Sequence, residues 1–198
     1  MTKFLATLLS YFFHPVILAL LMPYLLIYRQ TTDISYAVKW EIFSSVFIIL
    51  GVILVILEKK RGIFSDYDLS KREERWKFFA IVLSPIVLYL LISIFFKGLF
   101  FSTTIITLGI ILGLSIFAFL NKFLKPSVHM AVACAYVVSV AILYGPVAFM
   151  ITFWMIPAVV WARLTLKRHS PNEAVVGGVV GTIITLLTFL VGKYIYHL

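Results

Sequence analysis

Long apolar runs separated by short polar intervals dominate the chain, and the runs are too long to be strands. Seven stand out: Phe4–Tyr28, Ile42–Leu57, Phe78–Phe96, Leu99–Leu120, Val128–Tyr144, Pro146–Trp161 and Ala174–Val191. Each holds roughly 16 to 25 residues, the length at which a helix crosses a ~30 Å hydrocarbon core. Lipid offers the backbone no hydrogen-bond partner, so continuous apolar runs without period-2 alternation imply helices. The expected fold class is all-α, a polytopic transmembrane helical bundle of six core spans plus one extra, forming one integral membrane domain over residues 1–198. Pro15 and Pro23 fall in the first run and predict kinks. Trp40 and Trp161 are expected to carry the short second and sixth spans out to the interface. Lys97-Gly98 and Tyr144-Gly145-Pro146 read as tight turns.

The polar intervals are not scattered at random. The longest, Glu58–Lys77, reads EKKRGIFSDYDLSKREERWK and contains a helix-entry signal, with Ser70 as N-cap and Glu73 three residues on. Two spans later comes Lys125-Pro126-Ser127-Val128-His129, and two spans after that Arg163–Glu173. Counted by spans, all three intervals face one side of the membrane.

Composition narrows the picture further. At 63% hydrophobic residues the chain leaves no room for a separate soluble domain. The N-terminal run continues too far for a signal peptide and lacks a small-x-small cleavage site, so it reads as a first span. The single cysteine, Cys134, excludes an intrachain disulfide and reads as a small apolar residue. The net charge of +9 resides in short loops beside apolar spans. That placement suits membrane lipids or a phosphate-bearing lipid substrate and argues against nucleic acid as a partner. Oligomeric state is not encoded legibly.

Residues 66–178 resemble the type-2 phosphatidic acid phosphatase superfamily, as a divergent member. The family's third motif is Ser-Arg, five residues, His, three residues, Asp. Here Arg163 and His169 keep that spacing, Ala162 replaces the serine and Glu173 the aspartate. The second motif, Pro-Ser-Gly-His, corresponds to Pro126-Ser127-Val128-His129. The first, Lys, six residues, Arg-Pro, ends at Arg75, with Asp68 in place of the lysine and Trp76 in place of the proline. The resemblance implies a membrane-embedded hydrolase that removes phosphate from a lipid phosphate or diphosphate through a phosphohistidine, without a metal or other cofactor.

The residue types suit that chemistry. Phosphoryl transfer needs a nucleophile, an acid for the leaving oxygen and cations for the non-bridging oxygens. His169 is the candidate nucleophile, Glu173 the residue that orients and charges-balances its ring, and His129 the acid. Arg163 and Arg75 are candidate bidentate phosphate clamps. Ser127 and the backbone N–H groups opening the fifth span are candidate anion donors. Lys71 and Arg72 complete the phosphate-binding set, although with Lys77 they also read as a basic face on the membrane surface.

Two alternatives stand beside this reading. The substituted motifs also fit a catalytically weakened relative that binds or transports a phospholipid. Asp66-x-Asp68 could hold Mg²⁺ with a substrate phosphate, as in a prenyltransferase-like or alcohol-phosphotransferase site. His14, before Pro15, is expected to face the bundle and be hydrogen-bonded there. Sidedness is contested too. The face with the three polar intervals carries thirteen of the seventeen basic residues, so the positive-inside rule puts it in the cytoplasm. Resemblance to bacterial relatives puts it on the outer face of a prokaryotic cell membrane.

Overall fold

The computed structural model describes residues 1–67, 69, 71–93, 95 and 100–196, and among these it is helical with no strand. The helices are α1 (Thr2–Phe12), α2 (Pro15–Thr31), α3 (Ile34–Lys60), α4 (Arg75–Ser93), α5 (Phe100–Leu120), α6 (Val128–Tyr144), α7 (Pro146–Phe153), α8 (Met155–Thr165) and α9 (Pro171–Tyr196). Six stretches are long and apolar enough to cross a membrane: Thr2–Thr31, Ile34–Lys60, Arg72–Ser93, Thr103–Leu120, Pro146–Thr165 and Pro171–Ile195. The shorter apolar helix Val128–Tyr144 is the seventh. The chain is an integral membrane protein built as an all-α bundle.

Two of the expected spans are interrupted. The first is not one kinked helix from Phe4 to Tyr28; it breaks at Phe13-His14. Proline fixes φ and lacks a donor, so Pro15 sits best at the first position of a new helix, where it opens α2 behind the His14 cap. Pro23 stays inside α2, and the neighbouring Tyr24 N–H donates to Glu41 Oε2 on α3 at 3.0 Å. α2 then runs the length of α6. His14 lies beside His129 at one end; at the other, Tyr144 Oη donates to Leu25 O at 2.7 Å and Arg29 Nε to Leu143 O at 2.6 Å. α1 is therefore not needed to complete the crossing. It packs on α8 instead. The second break, at Trp154, separates α7 from α8. Pro157 causes it: in a continuous helix its ring would meet the carbonyl of Phe153.

α3 is much longer than the expected Ile42–Leu57, because Asp33 caps it by accepting from Tyr36 N–H at 3.0 Å. Trp40 is not an interfacial anchor. It is buried with Ile27, Ala37 and Tyr89 in an aromatic cluster joining α2, α3 and α4. Trp161, by contrast, is exposed on the bundle surface. Gly145 takes a φ of +84° at the Tyr144–Pro146 turn, which a Cβ would oppose. The Lys97-Gly98 turn, the Ser70 cap, Asp68 and His197 lie outside the described residues. A 3₁₀ turn, Arg72–Glu74, leads into α4; its N-cap, Lys71, makes no side-chain capping bond.

Around the bundle, α2 packs on α3, α3 on α4, α4 on α5, α5 on α9, α9 on α6, and α6 back on α2. The α6–α9 seam is the closest. A Cβ on Gly177 would come within 2.4 Å of Ser127 O, and one on Gly181 within 2.2 Å of Ala131 O. Gly177-Gly178-Val179-Val180-Gly181 is thus a small-xxx-small face that lets two backbones touch. It is legible as a spacing of glycines, but an apolar segment reads as a span before it reads as an interface. This seam fixes the start of α6 against the start of α9, and both ends carry site residues.

Candidate functional site

The site forms where the starts of α4, α6 and α9 meet the end of α8. Each local fold has an identifiable cause. α8 ends in a helix stop of the Schellman type: Lys167 N–H bonds Leu164 O at 2.9 Å, and Arg168 N–H bonds Arg163 O at 3.1 Å. Lys167 occupies the left-handed region, φ +53°, where glycine is usual. The stop turns the chain back, so His169 lands over the helix end that carries Arg163. The five residues between Arg163 and His169 are the length of this turn. Ser170 and Glu173 then start α9 with a reciprocal capping box: Glu173 Oε2 accepts from Ser170 N–H at 2.9 Å, and Ser170 Oγ from Glu173 N–H at 3.3 Å.

His169 and Glu173 meet, but not on a helix face as the four-residue spacing suggested. His169 lies in the loop and Glu173 in the first turn of α9, with Nδ1 and Oε2 3.4 Å apart. Nδ1 also lies 3.2 Å from Lys125 O. Both neighbours are acceptors, which places the ring proton on Nδ1 and the lone pair on Nε2. The His169 side chain is 2% exposed. Burial, and then the charges of Arg163, Arg75 and Lys125, lower its pKa to about 4, with Glu173 acting in the opposite sense. At neutral pH the ring is uncharged.

The two arginines are buried, Arg75 at 3% and Arg163 at 2% exposure. Arg75 Nη1 donates to Pro126 O at 3.0 Å and Nε to Leu69 O at 3.3 Å, tying α4 to the loop before α6. Arg163 Nη1 donates to Ser10 Oγ at 3.0 Å, tying α8 to α1. His129, in the first turn of α6, lies edge-on to His14, with ring centroids 5.2 Å apart. Arg163, His14, His169 and Arg75 all lie within electrostatic reach of it. Four of the candidates, His169, His129, Arg163 and Arg75, are thus gathered with Glu173.

Three others are placed differently. Ser127 is fully buried, and its role is structural here: Oγ accepts from Met130 N–H at 3.5 Å to cap α6, and its N–H donates to Glu173 O at 3.0 Å. Lys71 has a side chain 64% exposed, faces Glu74 at 3.8 Å and lines neither of the grooves described below. Arg72 bonds the backbone carbonyl of Asn121, and Asn121 Nδ2 returns a bond to Arg72 O at 3.0 Å. Arg72 does line a second groove.

Two open grooves flank Glu173. One, of about 490 Å³, is lined by His169, Lys125, Lys167, Arg168, Ser170 and Glu173 among others. The second, of about 540 Å³, is lined by Arg72, Phe123, Lys125, Ser170, Glu173 and Val176 among others. Sequence reasoning turned His14 toward the bundle but did not place it beside His129, and it missed Ser10 as a neighbour of Arg163, because nothing local signals that a break in the first span brings them to the site. It also missed the Ser170–Glu173 capping box, whose spacing was present. Among the described residues no group of three or more His, Cys, Asp or Glu side chains is arranged to hold a metal ion; Asp68 is not among those residues. Comparison with family models, with curated proteins and with solved structures finds no match.

Proposed function

We propose that this protein is a membrane-embedded phosphatase, a divergent relative of the type-2 phosphatidic acid phosphatases, that removes phosphate from a lipid phosphate or diphosphate. The observation that carries the reading is His169. Its Nδ1 faces two acceptors, leaving the Nε2 lone pair free in a buried, neutral ring surrounded by cations. That is the state a nucleophile toward a phosphate dianion needs.

In this scheme Nε2 attacks phosphorus. The P–N bond forms as the P–O bond to the lipid breaks, and His129 gives the leaving oxygen its proton. Glu173 holds the Nδ1 proton and balances the charge on the phosphorylated ring. Arg75 and Arg163 neutralise the non-bridging oxygens. Water then displaces the phosphate, its proton passing to His129, and free enzyme returns.

The test is phosphate release from phosphatidic acid by the purified full chain in detergent, with and without chelator, in wild type and His169→Ala. The expected result is chelator-insensitive release, reduced by several powers of ten in the variant, with an acid-labile phosphoenzyme trapped only in wild type. Residual turnover within about tenfold of wild type would sink the nucleophile assignment. Phospholipid binding without any release would favour the non-hydrolytic reading, and release abolished by chelator the metal-dependent one.

A further inference from the structure

We infer that Lys125 is a substrate-contacting phosphate ligand, the cation that closes the open side of the site. The inference rests on the phosphatase reading for its chemistry, but not for its geometry. Lys125 is among the residues lining both grooves, alongside His169 in the first and Arg72 in the second. Neither Arg75 nor Arg163 lines either groove. Both are buried, and each spends an Nη1 on the protein, on Pro126 O and on Ser10 Oγ. The cations lining the first groove are Lys125, Lys167 and Arg168, beside the Glu173 carboxylate.

Of those cations, Lys125 is the one that also lines the second groove. Its carbonyl oxygen is 3.2 Å from His169 Nδ1, so its Cα is fixed relative to the ring by a single backbone contact. Its ammonium reaches across the groove toward the α8 stop, where Nζ donates to Arg168 O at a long 3.5 Å. A bond of that length is readily exchanged for a charge-assisted one to a phosphate oxygen. Burial, then the nearby Arg75 charge, depress the pKa of Lys125, while Glu173 and Asp66 act in the opposite sense. The ammonium is thus partly desolvated among charges of both signs, and an anion beside it would offset that burial. The chemistry selected is a phosphate dianion, carried by a lipid headgroup or free in solution.

Because the carbonyl rather than the side chain orients His169, Lys125→Met removes the cation and leaves that contact in place. The full-length protein in lipid nanodiscs serves for two measurements. The first is stabilisation against heat by inorganic phosphate, and by phosphatidic acid in place of phosphatidylcholine. In Lys125→Met the concentration giving half the stabilisation should rise about 10- to 100-fold, the usual scale for losing one charge-assisted bond, while Lys125→Arg should stay within a few-fold of wild type. A shift with phosphatidic acid but not with inorganic phosphate assigns Lys125 to the lipid headgroup; a shift with both assigns it to the phosphate itself. The second is phosphate release, where kcat/KM should fall by a similar factor, mainly through KM. Unchanged stabilisation and unchanged KM in Lys125→Met, with wild-type turnover intact, overturn the inference and leave the phosphatase reading standing. Lost stabilisation in a protein that never releases phosphate supports Lys125 as a ligand and removes the phosphatase reading.

Discussion

At the residue scale the site depends on the protonation state of one ring. The unfolded chain takes up a proton on a histidine near 6.5, whereas folded His169 resists until about 4. Acidification through that window therefore costs stability, which is fully present above 6.5 and lost as pH falls to 4. The same shift keeps Nε2 unprotonated, so an acid limb in kcat/KM should not arise from His169 between pH 7 and pH 5. Nitrogen-15 NMR of the labelled ring should show titration well below 6.5. In Arg163→Gln it should move upward, because Arg163 is the largest charge lowering it; no movement would show that burial alone sets the value. Glu173→Gln should cost less activity than His169→Ala. The amide keeps the Ser170 capping box and a contact to Nδ1, and loses only the charge that, in the proposed mechanism, stabilises the phosphorylated ring. A roughly 10²-fold fall in kcat is the expected scale, and a loss equal to that of His169→Ala would mean that the carboxylate does more than orient and stabilise.

At the element scale the α6–α9 seam sets the geometry. Gly177→Ala would drive a Cβ to 2.4 Å from Ser127 O, a backbone atom that cannot swing aside. α9 must shift, taking Glu173 away from its place beside His169. Overpacking of this kind costs about 1–3 kcal/mol, so a clear fall in thermal midpoint and in kcat/KM is expected. Gly113→Ala is the comparison. Its Cβ would meet only the end of the Ile184 side chain, at 3.3 Å. A flexible methyl can give way, and stability should change little. Equal melting shifts for the two variants would remove the seam as the element that positions the site. The elements themselves were largely legible. Apolar length gave the spans, and Pro15 gave a distortion of the first. What the pattern could not give was the sense of that distortion. A proline can bend a helix or start a new one, and the choice turned on whether His14 could cap α2 from a position beside His129.

For the whole molecule, the distribution of charge orients the face that carries the site. In the folded chain the starts of α4, α6 and α9 and the end of α8 share one end of the bundle, in agreement with the span count. Thirteen of the seventeen basic residues belong to that end by the same count, and eleven remain when Arg75 and Arg163 are set aside as phosphate ligands. The positive-inside rule then orients the site toward the cytoplasm. A reporter active only in the cytoplasm should give signal at the Gly62–Ser65 stretch and none at the Tyr144–Pro146 turn. The reverse pattern would turn the protein over and leave its internal chemistry unchanged.

The sequence by itself determined the solvent this protein folds in. Apolar runs of span length, with every charge cluster at their ends, admit only helices and sort the polar residues to one face. It also placed His169 six residues after Arg163 and four before Glu173, and the helix stop and capping box that realise those spacings are local events. Tertiary structure alone decided the rest. Arg75, Lys125 and His169 are far apart in sequence, and they converge because Gly177 and Gly181 let α9 close on α6 and because Arg75 reaches Pro126 O. Ser127 became a buried cap and Lys71 an outward-facing ion-pair partner for the same reason. A residue type states what chemistry is available, whereas burial and direction, which set the energy of a charge or a lone pair, depend on neighbours brought from elsewhere in the chain.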